Sequence, residues 1–536
     1  MAEVVVEFML KMIGSIAVVG LMGVLVRLYI ALVVKPARLR SMLTKQGITG
    51  PPPTFVLGNI LELNKSLARP NTVLQAPPGE CPSEHSCSSV IFPLFEQWRR
   101  QYGNEILITL KFHSEVYTFA VGNMQILCVN SQHEIVRDIK TCTSLDFGKP
   151  ESQNQVLRPL LGEGIINSNG SSWAHQKTVI APQLYMDKVK GMSSLIADSA
   201  ITLVNLWKSR IEKEGGTIDI NIHDDLKCFS GDVISRVCFG SNYSNGEEIF
   251  HKLTALEELM SKKMFSPIRI TGNRYVPTKS NREAWALEKE IATLILKVVN
   301  ERQKAGYEND LLQMVLESAR NNTTDRSQER EIDRFIVDNC KNIYLAGYGT
   351  SAVSASWCLM LLAANPDWQD RVRAEVIQLC GGRIPDADML KNMKQLTMVI
   401  HESLRLYPPV FGLLREAFKD MKFGDINVPK SVTIFIKAAT LHTDPEIWGP
   451  DSYKFNPDRF ANGISGACKH PYFYMPFGIG ARVCIGQNLA MVELKMLLAL
   501  ILSNFSFSLS PKYKHAPIMR LTVEPKHGVD LLVSKL

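Results

Sequence analysis

The chain has 536 residues, of which 46% are hydrophobic and 21% charged, an ordinary balance for a globular protein with a large core and unlike a disordered chain. Its net charge of +7 is mild; it suits an acidic partner or an anionic membrane surface and leaves no nucleic-acid footprint. The eleven cysteines, an odd number scattered from Cys81 to Cys484, make no disulfide framework and read as reduced thiols in a cytosol-facing protein.

At the N-terminus, residues 4–34 are largely apolar, broken by Glu7, Lys11 and Arg27. With Arg27 snorkelling, this segment reaches the roughly 20 residues that span a bilayer. Lys35, Arg38, Arg40 and Lys45 follow it, whereas Glu3 and Glu7 precede most of it, so the positive-inside rule expects the remaining chain in the cytosol. The segment is long and has no clear small-residue cleavage site, which favours a retained transmembrane helix over a cleaved signal peptide. Residues 35–53 read as a basic, proline-rich linker ending in the stiff elbow Gly50-Pro51-Pro52-Pro53. Residues 54–536 are expected to form one catalytic domain.

Residues 64–90 lack periodicity and read as an exposed loop. Within it Cys81 and Cys87 flank His85, but no second ligand pair follows to complete a zinc site. Strand patterns occur over 106–112, 116–121 and 126–129. Helical patterns then dominate: 187–212, 224–239, 246–262, 281–304, 333–364, 366–380 and 389–406. Strand signals return at 421–428, 432–436 and 521–533. The expected class is mainly α with small β-sheets.

Near the C-terminus, Phe477-Gly478-Ile479-Gly480-Ala481-Arg482-Val483-Cys484-Ile485-Gly486 leads into an apolar helical run, 487–502. The glycines permit a tight turn and close approach to a flat ligand. Cys484 stands where helix N-terminal amides favour a thiolate, and Arg482 offers a bidentate cation to a carboxylate. Together these features point to thiolate-ligated haem iron. The stretch resembles the haem-binding loop of the cytochrome P-450 monooxygenases, and the order of elements resembles that fold over about residues 50–536.

The resemblance implies haem b with Cys484 as axial ligand, cradled by Phe477, Gly478, Gly480, Arg482 and Gly486. It implies a buried structural network of Glu402, Arg405 and Arg459, from the segments Glu402-Ser403-Leu404-Arg405 and Phe455-Asn456-Pro457-Asp458-Arg459-Phe460, with Asp458 where many relatives carry Glu. Trp173, Lys177 and Arg415 would grip the haem propionates, Lys177 replacing the family's usual Arg. Ala346-Gly347-Tyr348-Gly349-Thr350 resembles the oxygen-binding helix, in which the Thr350 hydroxyl relays protons. Many members place an acid before this Thr; here Gly349 stands instead. Proton delivery through ordered water, slower and leakier turnover, a non-oxidative haem isomerase and a haem-binding protein without turnover are the readings that this departure opens.

No Gly-x-Gly-x-x-Gly opens a helix after a strand, so the chain shows no nicotinamide or flavin site of its own. By resemblance, electrons reach it from NADPH through a separate reductase at the endoplasmic reticulum membrane, docking on a basic segment that includes Lys469, Arg482 and Lys495. By resemblance to the family's substrate-contact segments, pocket walls are expected at about 145–165, 255–275, 344–350, 410–414 and 517–521; there Val410, Phe411, Leu413, Leu414 and Ile518 suit a rigid hydrocarbon skeleton. Segments 337–344, 357–364 and 467–471 resemble a plant group that includes gibberellin-modifying oxidases. That resemblance implies O2-dependent hydroxylation of a gibberellin or related diterpenoid acid, ahead of epoxidation, with pentacyclic triterpenoid acids as the alternative substrate.

Overall fold

The helix Glu329–Ala364, 36 residues long, is the axis of the molecule. Glu329 and Glu331 in its first turn suit the positive end of the helix dipole. It stops at Asn365, where Pro366 opens the next helix, Pro366–Cys380. Every residue from Ile336 to Tyr344 and from Ser351 to Ala363 is buried. Between those stretches, Leu345–Thr350 is open in part or in full. Helices His223–Phe239, Tyr243–Met264, Lys394–Leu406 and Gln487–Asn504 pack around this axis.

This computed structural model describes residues 2–67, 76–103, 116–240, 243–264, 275–306, 310–321 and 329–536. The strand expected at 106–112 and the pocket wall at 265–274 lie outside the described residues.

Five strands form the main sheet, in the order Val116–Val121, Met124–Val129, Thr433–Ile436, Leu413–Ala417, Phe147–Gly148. Met124–Val129 pairs in parallel with Thr433–Ile436, and its other neighbour is antiparallel. The strand Asp530–Lys535 lies between Thr217–Asn221 and Phe505–Leu509 in a second sheet. Helices enclose one large apolar core, and the main sheet caps a smaller one that contains Leu43, Leu127, Ile434, Trp448 and Phe460. The fold is thus mainly helical with small sheets, as expected.

Among the described residues, two helical stretches are long and apolar enough to cross a membrane. One is the axial helix, which is mostly buried in the core. The other is N-terminal: Ala2–Tyr29 continues through one π turn, Ile30–Val34, into Lys35–Thr44. Its apolar side chains from Val6 to Ile30 are exposed, which fits membrane anchoring. Helical structure continues into the stretch read as a linker, where Leu39 and Leu43 are buried in the smaller core. There Arg40 donates to the carbonyls of Gly50 and Pro51, each at 2.9 Å.

Several elements depart from the sequence pattern. The expected helix 187–212 divides at Met192 into Met186–Gly191 and Ser193–Lys213, and 389–406 divides at Met393. The expected strands 421–428 and 521–533 are each two strands; the first turns at Gly424, φ +55°. The 64–90 region is structured where described. His85 is buried with Nδ1 2.7 Å from the Tyr407 hydroxyl, and Cys87 Sγ donates to the Leu406 carbonyl at 3.2 Å. Burial pushes the His85 pKa down to about 3, so this histidine is a neutral packing group.

Candidate functional site

The cysteine loop is held by its own backbone. Cys484 N–H donates to Phe477 O at 2.8 Å, Val483 N–H to Gly480 O at 3.1 Å and Gly478 N–H to Met475 O at 2.9 Å. Gly478 and Gly480 adopt φ of +78° and +72°, a region that favours glycine. A Cβ on Gly480 would also lie 2.9 Å from the backbone oxygen of Ile139. Gly486 caps the helix Gln487–Asn504. Cys484 is exposed at the head of that helix. Burial pushes its thiol pKa up, against a hydrogen bond from the Gly486 amide. Metal coordination would reverse that direction, because a bound thiol is deprotonated outright.

Beside the loop sits a knot of cations. Arg482 donates to Ser168 O and to Asn169 Oδ1, both at 2.8 Å, and its guanidinium lies over the Trp173 ring, 4.3 Å from the centroid. Lys177 occupies the same ring at 5.2 Å, with Nζ donating to Ala481 O at 2.7 Å. Arg415 is buried and donates to Leu414 O at 2.9 Å. Desolvation lowers the Arg415 pKa to about 10, and desolvation with repulsion from Arg415 lowers that of Arg482 to about 9.

Lys149 joins this group: burial, with repulsion from both arginines, lowers its pKa to about 7. Among the described residues, burial and mutual repulsion alone act on these three cations. A desolvated cluster of like charges without a counter-ion is the environment that a dianionic ligand edge would neutralise. An accessible thiol on a glycine loop and an uncompensated cation cluster therefore fit a haem with its two propionates. Lys149 had no motif around it and was missed. Only the fold brings it to the two arginines.

The Glu402 network is fully assembled. Arg405 Nε and Nη2 each lie 2.7 Å from a different Glu402 oxygen, and neither residue is reached by solvent. The remaining Arg405 donors reach the carbonyls of His442 (2.7 Å), Ser452 (2.6 Å) and Lys454 (3.1 Å). Arg459 approaches Glu402 at 3.7 Å and pairs with Asp451 at 2.9 Å. His442 Nε2 then accepts from Met475 N–H at 2.9 Å, connecting the network to the start of the cysteine loop. Asp458, at the departure from the family pattern, pairs on the surface with Arg371.

Across the axial helix the predicted oxygen-side residues divide by direction. A Cβ at Gly349 would meet nothing within 4 Å, whereas one at Gly347 would collide with the Ile234 side chain. Gly347 therefore serves close helix packing, and Gly349 faces open space. Ala346 is exposed, and its carbonyl accepts from Thr350 Oγ1 at 2.7 Å. Farther along, Asp338 Oδ2, Asn339 Oδ1 and Asn342 Oδ1 accept from the backbone N–H groups of Glu163, Ile165 and Ile166. This grip fixes the segment that continues to Ser168 and Asn169, the partners of Arg482.

Two further expectations change. Phe411 packs in the core against Phe92, with ring centroids 4.7 Å apart, so it does not line a pocket; Val410, Leu413, Leu414 and Ile518 remain accessible. Of the proposed docking cations, Arg482 turns inward as described, and Lys495 donates to Leu390 O at 3.0 Å. Neither is a free surface charge.

A helical fold with a glycine-bedded cysteine at the head of a buried helix, supported by an interior Glu-Arg pair, defines a haem-thiolate class of protein. The chain belongs to the cytochrome P-450 family, whose model matches residues 90–532. It is similar to cytochrome P-450 714C2 of Oryza sativa subsp. japonica, 45% identical over 95% of each chain. It is also similar to cytochrome P-450 714B3 of Zea mays, 42% identical over all of this chain and 98% of the relative. Cytochrome P-450 714A2 of Arabidopsis thaliana is 42% identical over 97% and 98% of the two chains. The protein is a haem-dependent monooxygenase with cysteine thiolate ligation, using O2 and electrons from a redox partner on a hydrophobic substrate.

Proposed function

We propose that the protein hydroxylates a polycyclic terpenoid acid, a gibberellin or a related diterpenoid acid. The observation that carries this reading is similarity at 40–45% identity, over nearly the whole chain, to plant members numbered 714, joined to the sequence resemblance to the gibberellin-modifying group. Accessible Val410, Leu413, Leu414 and Ile518 supply apolar walls for a rigid hydrocarbon skeleton.

Bound haem supplies oxygen activation and C–H oxidation. The chain's own residues do the rest. Cys484 holds the iron, with Phe477, Gly478, Gly480 and Gly486 shaping its bed. Arg415, Arg482 and Lys149 neutralise the propionates, and Trp173 supports the Arg482 guanidinium. Lys177 steadies the loop through Ala481, a supporting role in place of direct propionate binding. Glu402, Arg405 and Arg459 keep the bed rigid. Thr350 holds a proton-bearing hydroxyl on the open face at Ala346–Thr350.

Residues 4–34 anchor the protein in the endoplasmic reticulum membrane, 35–53 lead out of it, and 54–536 form the catalytic domain in the cytosol. There an NADPH-dependent reductase supplies the electrons.

The test is reconstitution of the full chain with reductase and NADPH, offered gibberellins, diterpenoid acids and pentacyclic triterpenoid acids, with products identified by mass spectrometry and NMR. A hydroxylated diterpenoid acid is expected. Conversion of triterpenoid acids alone would replace the substrate reading, and product formed without NADPH would overturn it.

A further inference from the structure

The hairpin of strands Pro517–Met519 and Val523–Pro525 changes from apolar to charged along one face. Ile518 lies directly opposite Glu524 across the pair, so the two side chains share a side. Thr522 Oγ1 donates to Glu524 Oε1 at 2.6 Å, and Arg520 Nη1 lies 3.5 Å from Glu524 Oε2. Glu524 is 6% exposed, whereas the Arg520 side chain is 40% exposed. The buried carboxylate thus aims the guanidinium and occupies little of it. Arginine has five N–H donors in a fixed fork, so one long contact leaves an edge for a second carboxylate.

Two helices bring further charge to this rim. Glu257, on Tyr243–Met264, feels Glu524, Lys227 and Arg520. His223, one turn before Lys227 on His223–Phe239, feels Lys227, Glu524 and Arg520. Lys227 therefore converges with the hairpin from a separate element. Thr254, one turn before Glu257, hydrogen-bonds the Tyr348 hydroxyl, and Tyr348 adjoins Gly349, which faces open space. On the other side, Val523 N–H donates to Pro409 O at 2.9 Å, which fixes the hairpin beside Val410. The rim thus lies between the open face of the axial helix and the apolar wall of Val410 and Ile518.

The charges at the rim do not cancel. Burial and repulsion from Glu524 push the Glu257 pKa up to about 7, against attraction by Lys227 and Arg520, so this acid is partly neutral at neutral pH. His223, lowered to about 4 by burial and by the Lys227 charge, is neutral. Asp224 is exposed, where water and salt screen it. Two cations then face one committed carboxylate, Glu524. A single monoanionic ligand balances them.

We propose that Arg520 and Lys227 receive the carboxylate of the substrate and so decide which end of its skeleton turns toward Thr350, with Glu524 as the positioning residue for Arg520. The proposal rests on the terpenoid-acid reading above.

The test is equilibrium dialysis of the full-length holoprotein against a gibberellin with one free carboxyl group and against its methyl ester. Wild type, Arg520→Gln, Arg520→Lys and Lys227→Gln are compared. A charge-assisted hydrogen bond is worth about tenfold or more in affinity. The wild type is therefore expected to prefer the acid by about tenfold or more, and each Gln variant to lower that preference by about fivefold or more. Arg520→Lys should keep part of it, which separates a lost charge from a disturbed hairpin. The reduced-CO spectrum of a thiolate haem checks that each variant is folded. Lys227→Gln, on another element, carries the test should Arg520→Gln fail to fold. Equal binding of acid and ester by the wild type, or the wild-type preference retained in both Gln variants, would overturn the proposal alone. A wild type with an intact spectrum that binds neither compound would overturn the terpenoid-acid reading and the proposal with it.

Discussion

The side-chain oxygen of Asn169 accepts from the Arg482 guanidinium at 2.8 Å and also from the Lys149 backbone N–H at 2.8 Å. One amide thus aligns two members of the cation cluster, one from the cysteine loop and one from a distant turn. Its Nδ2 donates back to Lys149 O at 2.9 Å. Asn169→Ala leaves the Arg482 donor and the Lys149 N–H short of an acceptor, at a cost of about 1–3 kcal/mol. Chemical unfolding should show that loss, together with faster release of haem to an acceptor protein.

The same cluster makes stability depend on pH in a way that haem should suppress. The Lys149 pKa is about 7 in the folded, haem-free chain, against 10.5 for an ordinary lysine. Between those values the unfolded chain binds more protons, so haem-free stability rises with pH. The clean window is about pH 8 to 8.5, where Glu257 and Glu493, both raised by burial to about 7, are largely ionised and buried thiols such as Cys81 and Cys87, whose pKa values are pushed up to about 12, do not yet act in the opposite direction. Melting temperatures of haem-free protein should climb across that window. Holoprotein and haem-free Lys149→Gln should show a much flatter slope.

Glu402 and Arg405 are the clearest case of a structural pair that cannot lose one member. Removing one partner of a buried ion pair costs about 3–5 kcal/mol, because the other charge is left uncompensated. Arg405 would keep its three backbone carbonyl acceptors but not its counter-charge. Arg405→Ala and Glu402→Ala should each yield protein with little bound haem and a sharply lower melting temperature. A double variant should be less damaging than the sum of the two.

Position in the axial helix decides what each glycine does. Gly347→Ala forces a Cβ against Ile234, and overpacking costs about 1–3 kcal/mol. Gly349→Ala enters open space and should raise stability by up to about 1 kcal/mol, the usual helix-propensity gain. Thermal unfolding of the two variants should move in opposite directions. Gly349→Glu has the same room and adds an acid beside Thr350. NADPH consumption should then be coupled more tightly to product; unchanged coupling would show that the missing acid has no role.

What could be read in the sequence was local chemistry. The glycine-bedded Cys484, the Glu402–Arg405 spacing and the long apolar helices announce themselves within a few residues. Helix breaks at Met192 and Met393 did not, because apolar residues recur on both sides of each and the only local sign is Gly191 beside the first. Lys149, Asn169 and Glu493 were equally invisible. Each is an ordinary polar residue until the fold removes water and brings partners from more than a dozen residues away. Phe411 misled for the converse reason: its apolar character suits a pocket wall and an aromatic core alike.

The N-terminal helix offers a test of where the folded body begins. Side chains from Val6 to Ile30 are exposed, but Leu39, Leu43 and Ile48 are buried in the smaller core with Val116, Leu127 and Ile434. Burying such a side chain contributes about 1.5–3 kcal/mol. Removing residues 2–34 should therefore move the protein from membranes toward the soluble fraction and leave the melting temperature nearly unchanged. Removing residues 2–47 takes Leu39 and Leu43 as well, together with the Arg40 bonds to Gly50 and Pro51. That variant should lose about 3–6 kcal/mol by the same accounting. Equal melting temperatures for the two truncations would show that the helix Lys35–Thr44 belongs with the anchor, and that its contacts with the main sheet add little to the folded domain.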